Sequence, residues 1–184
     1  MNQWLKAFNT LYYTVFMHYT DESLDRFLEE FAAGTFPKAS WNHGAHVTLA
    51  ACYLQMYPQP EATRRIRAGI RHYNECQGTA NTADSGYHET LTLFWIAQVT
   101  HLLAQCGPEL SRVEKVRRLV EALAPRRDLF RDYYSFDVVR SQQARREWVA
   151  PDVKPLPCPI APAAMLESSS DTPELLPTLV SNQA

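Results

Sequence analysis

Apolar side chains recur every three to four residues along most of this chain, and that spacing predicts a series of amphipathic helices. The clearest stripe follows a capping Thr20 or Asp21 and ends at Gly34, and its apolar positions are Leu24, Phe27, Leu28 and Phe31. An earlier apolar segment, about 4–19, is also predicted to be helical, although its neighbouring aromatic and β-branched residues suit a strand as well.

Further helices are predicted where the same spacing is bounded by proline or glycine. Their expected ranges are about 42–57, 60–76, 87–105 and 108–125, with short helices near 126–133 and 141–148. On the helix from Pro60, we expect Ile66, Ile70 and Tyr73 to face inward and the arginines to face outward. No paired strands with hairpin turns and no repeat of solenoid period are visible. The predicted fold is therefore all-α, a single-domain bundle of about six main helices.

The composition changes at Pro151, where proline and then serine become frequent. We expect residues 1–150 to form the helical domain. Residues 151–160 are predicted to be an extended arm held on the body by Val153, Leu156 and Ile160. Residues 161–184 contain too little apolar surface to offset the entropy of ordering and are predicted to be disordered.

Composition limits the classes of partner. The chain has 184 residues, 46% hydrophobic residues and a net charge of −2, which gives no overall attraction to nucleic acid or to an anionic membrane. The first residues lack the basic start and long apolar core of a signal peptide, and no uninterrupted apolar run approaches the length of a membrane span, so we expect neither feature. The cysteines are far apart, which favours reduced thiols in a cytoplasmic protein. One of them, Cys76, is a candidate nucleophile, but free cysteines are more often inert.

Two histidine-bearing stretches stand at predicted helix starts. Trp41-Asn42-His43-Gly44-Ala45-His46 opens one helix, and Tyr87-His88-Glu89-Thr90-Leu91-Thr92 opens another. If short loops make successive helices antiparallel, these two starts lie at the same end of the bundle, together with Asn74 near the end of the intervening helix. We therefore expect His43, His46 and His88 to share one polar pocket.

Such a pocket suits two kinds of chemistry. His43, His46 and His88 are candidate ligands for a divalent metal (Fe, Mn or Zn), with Glu89 and His88 as acid/base residues. The candidate substrate-binding residues are Trp41, Asn74, Tyr87 and Thr92. Helix N-termini favour an anionic or carbonyl-bearing small molecule, which points to a small enzyme or enzyme-like protein. The alternative is a non-catalytic module that binds a small molecule, or a protein partner through the proline-rich arm, with structural histidines.

Several of these motifs occur together with Gly34-Thr35-Phe36-Pro37, Asn81-Thr82 and Ala144-Arg145-Arg146-x-Trp148-Val149-x-Pro151-Asp152. Over roughly residues 20–157 the chain resembles a group of small bacterial helical proteins that have no established activity. The resemblance implies a bacterial cytoplasmic origin and action on a small molecule within a biosynthetic pathway, and it assigns no catalytic residue.

Overall fold

The computed structural model describes residues 19–160, and within that range all regular secondary structure is helical. The predicted helix over 4–19 and the predicted disorder of 161–184 lie outside the described residues. The α-helices are α1 (Asp21–Ala32), α2 (His43–Met56), α3 (Gln59–Cys76), α4 (Glu89–Ala104), α5 (Arg112–Leu123) and α6 (Gln142–Arg146). Short 3-10 helices cover Lys38–Ser40, Ala124–Arg126 and Leu129–Asp132. The all-α prediction is confirmed.

Helix α2 is the centre of the bundle because it packs against α3, α4 and α5. Its buried residues follow one another almost without interruption from Gly44 to Tyr53, so it has no solvated face along that length. A helix that is apolar all round must be enclosed on every side. The small residues Ala50 and Ala51, both buried, let the neighbouring helices approach it closely.

The helix directions follow the predicted alternation. The start of α3 lies near the end of α4, where Gln59 Nε2 donates to Thr100 Oγ1 at 3.5 Å, and its later turns meet the start of α4 through Arg67 and Glu89. The end of α1, the start of α2 and the end of α3 meet in an aromatic cluster of Phe31, Trp41 and Tyr73. The expected convergence of helix ends is therefore present.

Local signals placed most helix boundaries correctly. Thr20 and Ser23 form a capping box on α1, and Asn42 Oδ1 accepts from Ala45 N at the start of α2. Helix α5 starts later than predicted, at Arg112, because Ser111 and Glu114 form a capping box that starts the helix there. Arg112 then binds Asp25 of α1 at 2.6 Å, joining the basic and acidic helices.

Two predictions about side-chain direction were wrong. Arg67 does not face outward with the other arginines of α3, since its side chain is only 8% exposed and is paired with Glu89. The Val153 side chain does not hold the arm on the body, since it is 57% exposed. The predicted contacts of the other two residues are confirmed, because Ile160 is buried and Leu156 packs against the core. The backbone adds a bond from Val153 N to Tyr133 O at 3.0 Å, and Asp152 accepts from Ser135.

The segment after α5 returns over the start of α4. Thr90 Oγ1 donates to Glu147 O at 2.8 Å and accepts from Val149 N at 2.9 Å. Arg145 reaches the carbonyl oxygens of Gly86 and Tyr87. The first turn of α4 is therefore covered by protein. None of the helices between residues 19 and 160 combines the length and apolar character of a membrane span.

Candidate functional site

His88 is the N-cap of α4. Its Nδ1 accepts from Leu91 N at 3.3 Å, which requires Nε2 to carry the proton and donate to Val138 O at 3.0 Å. Both ring nitrogens are thus used by the backbone. Burial lowers the pKa of His88 to about 4, so the ring is neutral near pH 7. The predicted metal-ligand and acid/base roles of His88 conflict with this geometry, because either role would first require breaking a backbone bond.

Glu89 is held in a buried cluster of charged and polar groups. Arg67 pairs with it through Nη2 to Oε1 at 2.8 Å and Nε to Oε2 at 3.2 Å. Tyr87 donates its hydroxyl proton to Oε2 at 2.8 Å, and Arg71 adds a longer contact at 3.3 Å. Because Oε1 is paired with Arg67 and Oε2 accepts from Arg67, Tyr87 and Arg71, Glu89 is positioned as a structural anion. This geometry does not support the predicted acid/base role.

Arg71 has a different environment from Arg67. Its guanidinium lies over the Tyr87 ring, 3.9 Å from the centroid, and its side chain is 40% exposed. Stacking on one side and a carboxylate at one edge hold the planar group in place. Since Glu89 is already paired with Arg67, the three ionised groups carry a net charge of about +1. That positive charge lies at the exposed end of the cluster.

The loop over 77–88 is organised by Asn81. Its Oδ1 accepts from Asn74 Nδ2 at 2.9 Å and from Tyr87 N at 3.0 Å, while its Nδ2 donates to Arg71 O at 3.0 Å. Gly86 closes the loop with φ +72, and a Cβ there would lie 2.6 Å from Ala80 O. Asn74 thus supports the loop, which is a different role from the predicted contact with substrate.

His46 lies in the aromatic cluster at the start of α2. Its ring centroid is 4.2 Å from that of Trp41, which in turn lies 4.6 Å from the Tyr73 ring. Burial, with a smaller effect from His43, lowers the pKa of His46 to about 4. Among the residues of the range 19–160, none hydrogen-bonds to its ring nitrogens. His46 is therefore a neutral imidazole in an aromatic, partly exposed environment.

His43 faces a different part of the bundle. Its ring packs against Trp95 with centroids 4.2 Å apart, and Nε2 lies 3.2 Å from Leu123 O. Desolvation lowers its pKa. The three histidines thus contact three separate sets of neighbours. Within the part of the chain that the structure describes, no three His, Cys, Asp or Glu side chains are placed to hold a metal ion.

The residues predicted from sequence form two groups. Tyr87 and Glu89 share the buried cluster. Asn74 is linked to Tyr87 only indirectly, because both bind Asn81. Trp41 and His46 form the aromatic group, whereas Thr92 is half-buried and has no side-chain role that its contacts define. The sequence reasoning missed Arg67 and Arg71. Positions 67, 71 and 74 share one face of α3 at helical spacing, but nothing in the sequence marks that face as packed against Glu89.

Searches against protein-family models, curated proteins and solved structures found no match to this chain. The resemblance to bacterial helical proteins remains a prediction.

Proposed function

We propose that this chain is a binding module for a small anionic molecule, carrying a carboxylate or a phosphate, and that its histidines are structural. The observation that supports this function best is Arg71, an exposed guanidinium held by Tyr87 and Glu89. Arg71 keeps further N–H donors free of those two contacts in a planar fork that matches two oxygens of one anion.

The surroundings of Arg71 support recognition more than catalysis. Glu89 and Tyr87 fix the guanidinium before the ligand arrives, which reduces the entropy lost on binding. Both ring nitrogens of the neighbouring His88 are occupied by backbone groups. The charged cluster thus offers a positive hydrogen-bonding surface without a free general base.

Calorimetric titration with inorganic phosphate, and separately with malonate, tests this function. We expect Arg71→Ala to weaken binding at least tenfold, about 1.4 kcal/mol, because the anion loses a charged bidentate partner. Arg71→Lys keeps the charge but loses the planar fork, so its affinity for the anion should fall between those of the Arg71→Ala variant and the unaltered chain. Arg64→Ala is the matched control, since Arg64 lies on the same helix but pairs with Glu61. Equal binding by the Arg71→Ala variant and the unaltered chain, or no binding of either anion, would refute the proposal.

A second function, catalysis by His46, is favoured by one observation. A neutral imidazole whose nitrogens are free of hydrogen bonds from residues 19–160 can act as a base. Hydrolysis of p-nitrophenyl acetate is a general probe of such a group. We expect His46→Gln to lower the hydrolysis rate, whereas His101→Gln should leave it unchanged. His101 is a matched control because it is a partly exposed histidine that contacts Gln105. Equal rates in the two variants would rule out this role.

A further inference from the structure

The last turn of α3 carries a histidine and a cysteine on one face. His72 and Cys76 are four residues apart, so their side chains lie one above the other. Cys76 Sγ is 3.5 Å from His72 Nε2 and 3.9 Å from Nδ1. Cys76 is exposed and His72 is partly exposed, so solvent and small ions reach both. The pair is separate from Arg71 and Glu89 in its contacts.

The spacing of the two atoms matches the requirement of a tetrahedral metal ion. Zinc binds a thiolate at about 2.3 Å and an imidazole nitrogen at about 2.05 Å. At a tetrahedral angle these bond lengths place sulfur and nitrogen about 3.6 Å apart. The observed 3.5 Å is close to that value, so the two side chains are near enough to share one ion once the imidazole ring turns a nitrogen lone pair toward it, without movement of the helix backbone.

The turn after α1 limits the positions that the Cys76 side chain can take. Gly34 has φ +70, and a Cβ at this position would lie 2.4 Å from Cys76 Cβ and 2.5 Å from Sγ. The Gly34 backbone therefore packs directly on the cysteine side chain and restricts rotation of Sγ away from His72. The same turn is fixed to the end of α3 by Gln77 Nε2, which donates to Gly34 O at 2.7 Å. Cys76 is thus held in place by a contact outside its own helix.

We propose that His72 and Cys76 form a chelating pair for Zn²⁺ or another thiophilic divalent cation. The Cys76 thiol loses its proton to solvent and its sulfur bonds the ion, neutral His72 supplies one nitrogen, and water fills the remaining positions. No redox change is involved. This pair differs from the histidines at the starts of α2 and α4, and it does not depend on anion binding at Arg71.

Cobalt(II) titration of the reduced full-length chain tests the pair, because a sulfur-to-cobalt charge-transfer band reports the thiolate directly. We expect the band to appear at micromolar to submillimolar cobalt and to disappear when Zn²⁺ is added. Cys76→Ser should abolish it. His72→Ala should weaken cobalt binding at least tenfold, because the lone thiolate no longer chelates. Circular dichroism checks that both variants keep their helices.

Cys106→Ser and His101→Ala are the matched controls. Those residues also lie near the end of a helix, but they are five residues apart, and Cys106 contacts Leu102 O while His101 contacts Gln105. Neither change should alter the titration. The proposal is overturned if the band persists in Cys76→Ser, if His72→Ala binds cobalt as tightly as the unaltered chain, or if either control removes the band.

Discussion

Replacing Glu89 by glutamine tests whether the buried charged cluster holds the bundle together. The two side chains have nearly the same volume, so the change removes charge without leaving a cavity. Arg67 would then remain 8% exposed with its principal anion gone. Glu89 itself is 4% exposed, so neither group can recover hydration without local opening.

The size of the effect follows from the two ion pairs separately. Breaking a fully buried pair typically costs about 3–5 kcal/mol, because one charge is left uncompensated. The Arg71 pair is 40% exposed and longer, at 3.3 Å, so solvent screening limits it to about 0–1 kcal/mol. We therefore expect Glu89→Gln to lower the free energy of unfolding by about 3–5 kcal/mol, a large part of the roughly 5–15 kcal/mol of an ordinary domain.

Urea unfolding followed by circular dichroism measures this loss as a lower midpoint at an unchanged slope. The double variant Arg67→Met with Glu89→Gln is the control to compare with Glu89→Gln. Because it removes the buried charge that Glu89 no longer balances, it should be more stable than Glu89→Gln alone. A loss below about 1 kcal/mol, or a double variant that is less stable than the single one, would refute the reasoning.

Other consequences concern the same end of the bundle. His88→Ala should cost about 1–3 kcal/mol in urea unfolding, because Leu91 N and Val138 O lose their partner, and His88→Asn should recover part of it. His46 and His88 have pKa values near 4 against an ordinary 6.5, so the unfolded chain binds more protons below pH 6.5. Stability should therefore fall between pH 6.5 and 4, by at most about 3 kcal/mol for each histidine, and His46→Phe should flatten the profile of urea midpoints. Gly86→Ala should destabilise by more than Gly78→Ala in thermal unfolding, since both have positive φ but only Gly86 meets backbone atoms.

The sequence alone predicted the helices well because their determinants are local. Caps such as Asn42 and the turn glycine Gly34 act within a few residues, and apolar spacing marks each buried face. The shared end of the bundle was also predictable, because short connections force neighbouring helices to alternate. The aromatic contact of Trp41 with Tyr73 is a direct result of that alternation.

The ion cluster was not predicted because its determinants are non-local. A basic side chain in a helix is usually solvated, and nothing near Arg67 in sequence reveals the buried carboxylate of Glu89, 22 positions later. The same limit applies to His88. Its role depends on the Val138 carbonyl, which returns from a segment 50 positions away. Whether a polar group is buried depends on which distant segment of the chain packs over it. The periodicity of apolar residues carries no information about that packing.

Helix direction determines which helix ends lie together, but it does not determine how far along the helix axis two residues meet. The histidines are separated by such an offset along the axis. Helices α2 and α4 start at the same end, yet His43 packs on Trp95, which follows His88 by seven residues. At 1.5 Å per residue, that offset is about 10 Å along α4. Nitrogen ligands of one zinc ion lie within about 4 Å of one another, since each bond is about 2 Å. A three-histidine site would therefore require α4 to slide by about two turns, which would break the pairing of Arg67 with Glu89.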